Sequence, residues 1–239
     1  MRIDPDKCSG CGQCIPYCPV NVIKMKNDIA EIDYDGCVEC SNCLRNADCP
    51  TDAIYQDELV WPRTIRKVLS DVLATGTTTG IPGRGTEEMK TNDVTGRFKK
   101  GYAGIAMEFG RPILGARIYD VEKVAQAVAT LGVEFEKLNP TISLMEDPKT
   151  GKFKEEVLNE KVMSIILELT AELGKLPELF KVLKKVSQEI ETVFSLDLIT
   201  RVNPDGSFPT APFVKEAGLW VAPNGKTCVG LGRPLAKED

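Results

Sequence analysis

Cys8-Ser9-Gly10-Cys11-Gly12-Gln13-Cys14-Ile15-Pro16-Tyr17-Cys18-Pro19 and Cys37-Val38-Glu39-Cys40-Ser41-Asn42-Cys43-Leu44-Arg45-Asn46-Ala47-Asp48-Cys49-Pro50 are the stretches that decide the fold of this chain. Their spacing is C-x2-C-x2-C-x3-C-P and then C-x2-C-x2-C-x5-C-P. Three thiolates at three-residue intervals can wrap one corner of an iron-sulfur cube, while the fourth lies too far along to reach that cube and ligates another. Two such runs therefore predict two interlocked [4Fe-4S] sites.

A disulfide scaffold or structural zinc are the alternatives for so many cysteines. Disulfides need an oxidising compartment, and the N-terminal residues Met1-Arg2-Ile3-Asp4-Pro5 carry no apolar signal segment, so a cytoplasmic location is expected. Zinc sites use four ligands on two paired knuckles, which leaves the third cysteine of each triad without a role.

Residues 1 to about 60 resemble the bacterial-type ferredoxins with two [4Fe-4S] clusters. Carried across residue by residue, the resemblance implies one cluster on Cys8, Cys11, Cys14 and Cys49 and another on Cys37, Cys40, Cys43 and Cys18. The second run departs from the usual spacing, because five residues, Leu44 to Asp48, separate its last two cysteines and lengthen that loop. The halves also repeat beyond the cysteines: Cys18-Pro19-Val20-Asn21-Val22-Ile23 aligns with Cys49-Pro50-Thr51-Asp52-Ala53-Ile54. Each half reads as a short helix after its triad, then an edge strand whose apolar residues shield the clusters. A module this small buries little apolar surface by itself, so the clusters are expected to staple it.

Charge is uneven along the 239 residues. The first sixty carry 5 Lys/Arg against 11 Asp/Glu, while the rest of the chain is nearly balanced within an overall charge of −5. An acidic redox end should steer toward a basic patch on an electron donor or acceptor, and nucleic-acid binding gains no support. With no run of eighteen apolar residues, no membrane span is expected. Histidine is absent from the whole chain, which excludes Ser-His and Cys-His nucleophiles and imidazole ligands. No catalytic residue is assigned.

The expected fold class is α+β in three parts: a ferredoxin domain over 1–60, a helix with a connecting loop over 61–101, and an α+β domain over 102–239. Trp61-Pro62 should open a helix bearing Ile65, Val68, Leu69, Val72 and Leu73, with Trp61 as a packing anchor. The Gly/Thr-rich stretch 76–101 lacks the Gly-Lys-Ser/Thr ending of a phosphate-binding loop, yet its Arg84 and Arg97 could grip a carboxylate or phosphate. Beyond it the pattern predicts a strand over 102–109, a helix capped by Asp120, strands over 133–138 and 141–146, a helix over 155–173, a helix from Pro177 to about Val193 and a strand over 194–202. That order is close to a split-βαβ, ferredoxin-like sandwich, of which ACT-type ligand sensors and oligomerisation modules are examples. A C-terminal hairpin on Asn224-Gly225 should close the chain, with Cys228 as a small buried side chain.

The expected function is electron transfer through two [4Fe-4S] clusters, as a subunit of a larger anaerobic oxidoreductase. The expected partners are a catalytic oxidoreductase subunit or other redox protein, with homo-oligomerisation through the C-terminal domain. Two alternatives stand beside it: an iron-sulfur reductase binding an acidic metabolite at the Arg84/Arg97 loop, and a redox- and ligand-responsive regulator.

Overall fold

The computed structural model describes residues 1–75, 96–111 and 114–223. It is a mixed helix and strand chain whose contacts divide into two compact units. One holds the described N-terminal residues together with Phe109–Tyr119 and Glu155–Ile165; the other holds the remaining described residues.

In the first unit, strand β1 (Arg2–Ile3) is followed by the hairpin of β2 (Ile23–Lys26) and β3 (Ile29–Ile32), helix α1 (Asn42–Asn46), strand β4 (Ile54–Tyr55) and helix α2 (Thr64–Val68). The hairpin closes on Asn27 and Asp28, both at positive φ (49° and 62°), the conformation a two-residue loop needs to match the strand twist. β1 and β4 pair antiparallel, Ile3 opposite Ile54, so the two ends of the cysteine-bearing stretch lie side by side. The repeat is visible in three dimensions. After the first triad the chain makes one 3-10 turn (Ile15–Tyr17); the two additional residues of the second run let the same segment become the α-helical turn α1.

The described chain continues with β5 (Tyr102–Phe109), β6 (Ala116–Arg117), α3 (Ile118–Ala129), β7 (Glu134–Phe135), β8 (Met145–Asp147), β9 (Lys152–Phe153), β10 (Lys161–Val162), β11 (Ile165–Glu172), α4 (Leu176–Val186), β12 (Phe194–Ile199) and α5 (Ala211–Glu216). β6 and β10 pair antiparallel within the first unit. The main sheet has the order β12-β5-β11-β7. β5 holds a central place in it and is buried on both faces from Ala103 to Phe109, because Phe98, Ile166 and Ile199 cover Ala106 on one side. Helix α4 buries Leu176, Leu179, Phe180, Leu183 and Val186, a three-four spacing that lays one apolar stripe inward. Each such side chain contributes roughly 1.5–3 kcal/mol by leaving water.

Several sequence expectations are corrected. The segment expected as a helix over 155–173 is a 3-10 turn, then β10, then β11: Ile165, Leu167, Leu169 and Ala171 alternate inward, and sheet pairing overrides a helix-like spacing of apolar residues. Residues 141–144 are a 3-10 turn rather than a strand, since Asn139 Oδ1 accepts from the Thr141 N–H and Pro140 takes the first helical position. Helix α2 is shorter than expected and leaves Val72 and Leu73 exposed. Trp61 is half exposed, and its indole N–H donates to Glu156 at 2.8 Å, so it is no buried anchor. α3 starts at Ile118, before Asp120. α4 ends at Val186 and β12 at Ile199, both earlier than expected. Helix α5 was not foreseen, and residues 218–223 form no strand. Arg84, the Asn224-Gly225 turn and Cys228 lie outside the described residues.

Candidate metal centre

The eight cysteines of the two runs form no disulfide, and six of them, Cys8, Cys14, Cys18, Cys37, Cys43 and Cys49, share one miniature core. Cys14, Cys37 and Cys43 are buried, Cys8, Cys18, Cys40 and Cys49 are partly covered, and Cys11 is exposed. Around them pack Ile23, Ala30, Ala47 and Ile54, with Ile3, Ile15, Val22 and Ile32 at the margin. An apolar jacket of this kind keeps water from a thiolate-bound group and so controls its potential.

Backbone geometry winds each run in the same way. Gly10 and Gly12 both sit at φ +71°, in the left-handed region, and the residues that align with them in the second run, Glu39 and Ser41, sit at φ +57°. Glycine takes this conformation without strain, whereas glutamate does not. Glu39 is held there by its side chain. It is fully buried and accepts two bonds from Arg63, at 2.9 and 2.5 Å, one from the Met1 ammonium at 2.5 Å and one from Gln56 at 3.2 Å.

The sulfurs sort into two sets. Cys14 lies within electrostatic reach of Cys8, Cys11 and Cys49, and burial followed by these neighbours pushes its thiol up. Cys43, pushed up to about 12, is raised first by burial and then by Cys40, Cys37 and Cys18. Each set thus contains one cysteine from the opposite run. The first set lines a pocket partly open to solvent, with Ile3 and Ile54 on its walls. Among the described residues, no three cysteine or acidic side chains converge on a single-ion site.

The donor chemistry fits an iron-sulfur group. Four thiol sulfurs around one pocket offer soft ligands, and four thiolates are what a [4Fe-4S] cubane takes. Backbone amides already point at sulfur: Val22 N–H donates to Cys18 Sγ at 3.3 Å and Ala53 N–H to Cys49 Sγ at 3.4 Å. At Cys49 burial alone would raise the thiol, but the amides of Thr51 and Ala53 and the Thr51 hydroxyl outweigh it and hold it below the usual range. Metal loading must displace protons from the raised thiols, so it is favoured at higher pH.

The loop of the second run is gripped from outside the first sixty residues. Arg63 donates to the Tyr34 carbonyl at 2.8 Å; Arg66 donates to the carbonyls of Asp35 (2.5 Å) and Cys37 (2.9 Å); Arg117 pairs with the Asp35 carboxylate. Within the run itself, Arg45 reaches the Cys40 carbonyl at 2.9 Å while pairing with Asp71 at 2.8 Å. The sequence pattern did not announce these contacts, apart from the placement of Arg45 inside the lengthened spacer. Arg97, suggested above as an anion grip, pairs with Glu136 at 2.8 Å and is nearly buried.

Comparison with known proteins falls on the same residues. A 4Fe-4S binding domain matches residues 1–24. Ferredoxin-1 of Rhodobacter capsulatus is 48% identical over 40 residues, 17% of this chain and 62% of that protein. Pyruvate synthase subunit PorD of Methanothermobacter marburgensis is 42% identical over 55 residues, 23% of this chain and 62% of that protein. The ferredoxin of Methanothermococcus thermolithotrophicus is 40% identical over 61 residues, 24% of this chain and 98% of that protein. The chain thus spans 62% of the length of Ferredoxin-1 and nearly all of the smaller ferredoxin. No solved structure matches. No helix among the described residues is long and apolar enough to cross a membrane.

Proposed function

This chain belongs to the ferredoxin family through its N-terminal quarter, and on that footing we propose that it transfers single electrons as a subunit of a larger anaerobic oxidoreductase. Cys8, Cys11, Cys14 and Cys49 would hold one [4Fe-4S] cluster and Cys37, Cys40, Cys43 and Cys18 the other. When bound, such clusters supply reversible one-electron redox chemistry without covalent change in the protein. The observation that carries this reading is the pocket that Cys8, Cys11 and Cys14 share with Cys49, a cysteine from the opposite run.

The chain's own residues hold and insulate. Val22 and Ala53 direct amide N–H groups at sulfur, which favours the more negative, reduced state. Ile3, Ile23 and Ile54 exclude water from the sulfurs. The exposed edge at Cys11 is where a redox partner would approach most closely. The acidic balance of the first sixty residues supports a partner with a basic docking patch. PorD is by name a subunit of pyruvate synthase, which supports a catalytic subunit as the partner here.

The stretch 1–60 is read as the iron-sulfur module, 61–101 as a connector and 102–239 as an α+β domain. In the last, the succession β5-α3-β7-β11-α4-β12 and the sheet order β12-β5-β11-β7 support a split-βαβ sandwich, and so a homo-oligomerising or ACT-like role. A cytoplasmic, reducing compartment suits free thiolate ligands. Anaerobic purification from native extract tests the proposal. It expects copurification with a subunit carrying its own catalytic cofactor and no substrate turnover by this chain alone; turnover by the isolated chain with only a chemical electron donor would contradict it.

A further inference from the structure

The three arginines that grip the second cysteine run differ in what surrounds them. Arg66 is the most enclosed, with a side chain 3% exposed. Its Nη1 donates to the carbonyls of Asp35 and Cys37, and its Nε donates to Glu160 Oε2 at 2.5 Å, in a strand connection far along the chain. The Asp35 carboxylate stands 3.8 Å away and is shared with Arg117. A buried guanidinium is always charged, and in a site of low dielectric its field reaches a neighbouring group with little screening. Here the nearest ligand backbone is that of Cys37.

We propose that Arg66 is a positioning residue for the Cys37/Cys40/Cys43/Cys18 cluster, fixing the loop through the Asp35 and Cys37 carbonyls and raising that cluster's reduction potential with a charge that Glu160 partly offsets. This rests on the two-cluster reading above. Reduction adds one electron, supplied by a low-potential one-electron donor, and makes the cluster more negative by one charge, with no bond to the protein broken and no proton required. A fixed cation beside the Cys37 carbonyl stabilises that added charge. An anion nearby opposes it. Arg45 and Asp71 near Cys40, and Arg63, the Met1 ammonium and Glu39 near Cys37, belong to the same field, each cation facing a carboxylate.

The two positions give shifts of opposite sign. Anaerobic redox titration of the full chain, followed by electron paramagnetic resonance, reads both midpoint potentials; Cys40→Ser identifies the signal of the second cluster by removing it. Arg66→Gln should move that cluster's midpoint to more negative potential and leave the first cluster in place. Glu160→Gln should move the same midpoint to more positive potential. A purely structural role would predict no such reversal. Should Arg66→Gln fail to retain its clusters, Glu160→Gln decides alone. Unchanged midpoints in Glu160→Gln, or equal shifts of both clusters, would overturn the proposal. Wild-type protein lacking two clusters would instead sink the reading it rests on, and iron content separates the two failures.

Discussion

Ala53 donates its backbone N–H to Cys49 Sγ over 3.4 Å, and Val22 repeats the bond to Cys18 at 3.3 Å. In both halves the amide four residues on secures the cysteine that crosses to the opposite set. The repeat is therefore kept in the contacts of its last cysteines, and under the proposed ligation each of them would be oriented by its own half while serving the other.

Pairs of variants follow from that crossing. Cys11→Ser and Cys49→Ser should remove the same paramagnetic signal, and Cys40→Ser and Cys18→Ser the other. Each should lower iron from about eight to about four per chain. Sequential ligation, in which Cys11 and Cys18 behave alike, would show as the same signal lost in that pair.

Gly10 and Gly12 separate strain from clash. Both have φ +71°, but a Cβ at Gly10 would stand 2.2 Å from the Asp28 carbonyl oxygen, whereas at Gly12 it meets only Ile15 Cδ1 at 3.7 Å. Gly12→Ala should cost about 1–2 kcal/mol, the price of a left-handed alanine. Gly10→Ala should cost about 2 kcal/mol more, since backbone must move. Denaturant midpoints of anaerobically prepared variants check the order.

Asp71 carries an acid-sensitive contribution. Burial opposes its ionisation, yet the Leu73 N–H at 3.0 Å and the Arg45 guanidinium at 2.8 Å hold its carboxyl below the ordinary carboxylate value. A depressed folded-state value means stability that is present above the unfolded value near pH 4 and lost as pH falls through the folded one. Asp71→Asn should therefore be less stable than wild type at pH 7, by about 1–3 kcal/mol, with the gap closing below about pH 4. Urea titrations across that range measure it.

The second unit has a core of its own, so damage there should spare the cysteine-bearing unit. Phe180, 1% exposed on α4, fills that core. Phe180→Ala should lower stability by about 3–5 kcal/mol while iron per folded chain stays unchanged. Circular dichroism and iron assay on the same samples test both halves of the expectation.

The cysteine runs were legible because their spacing is local: Cys8, Cys11 and Cys14 line one pocket, and Cys49, which the resemblance to ferredoxins implied beside them, lines it too. The main sheet was only partly so. Ile165-Ile166-Leu167-Glu168-Leu169 satisfies a helical stripe and a strand equally, and only pairing with β7, Leu169 opposite Phe135, resolves it. Arg63, Arg66 and Arg117 escaped the sequence altogether, since each binds the Tyr34–Glu39 loop from a distant part of the chain and no periodicity records such contacts. Glu39 shows the same limit: a glutamate in a left-handed position has no local rationale until Arg63 is placed against it.

Iron and acid-labile sulfide, determined on anaerobically prepared full-length protein, test the central claim most directly. The account predicts about eight of each per chain and a brown, reducible protein. Colourless protein holding zinc, or about four irons that all four cysteine variants leave in place, would contradict it.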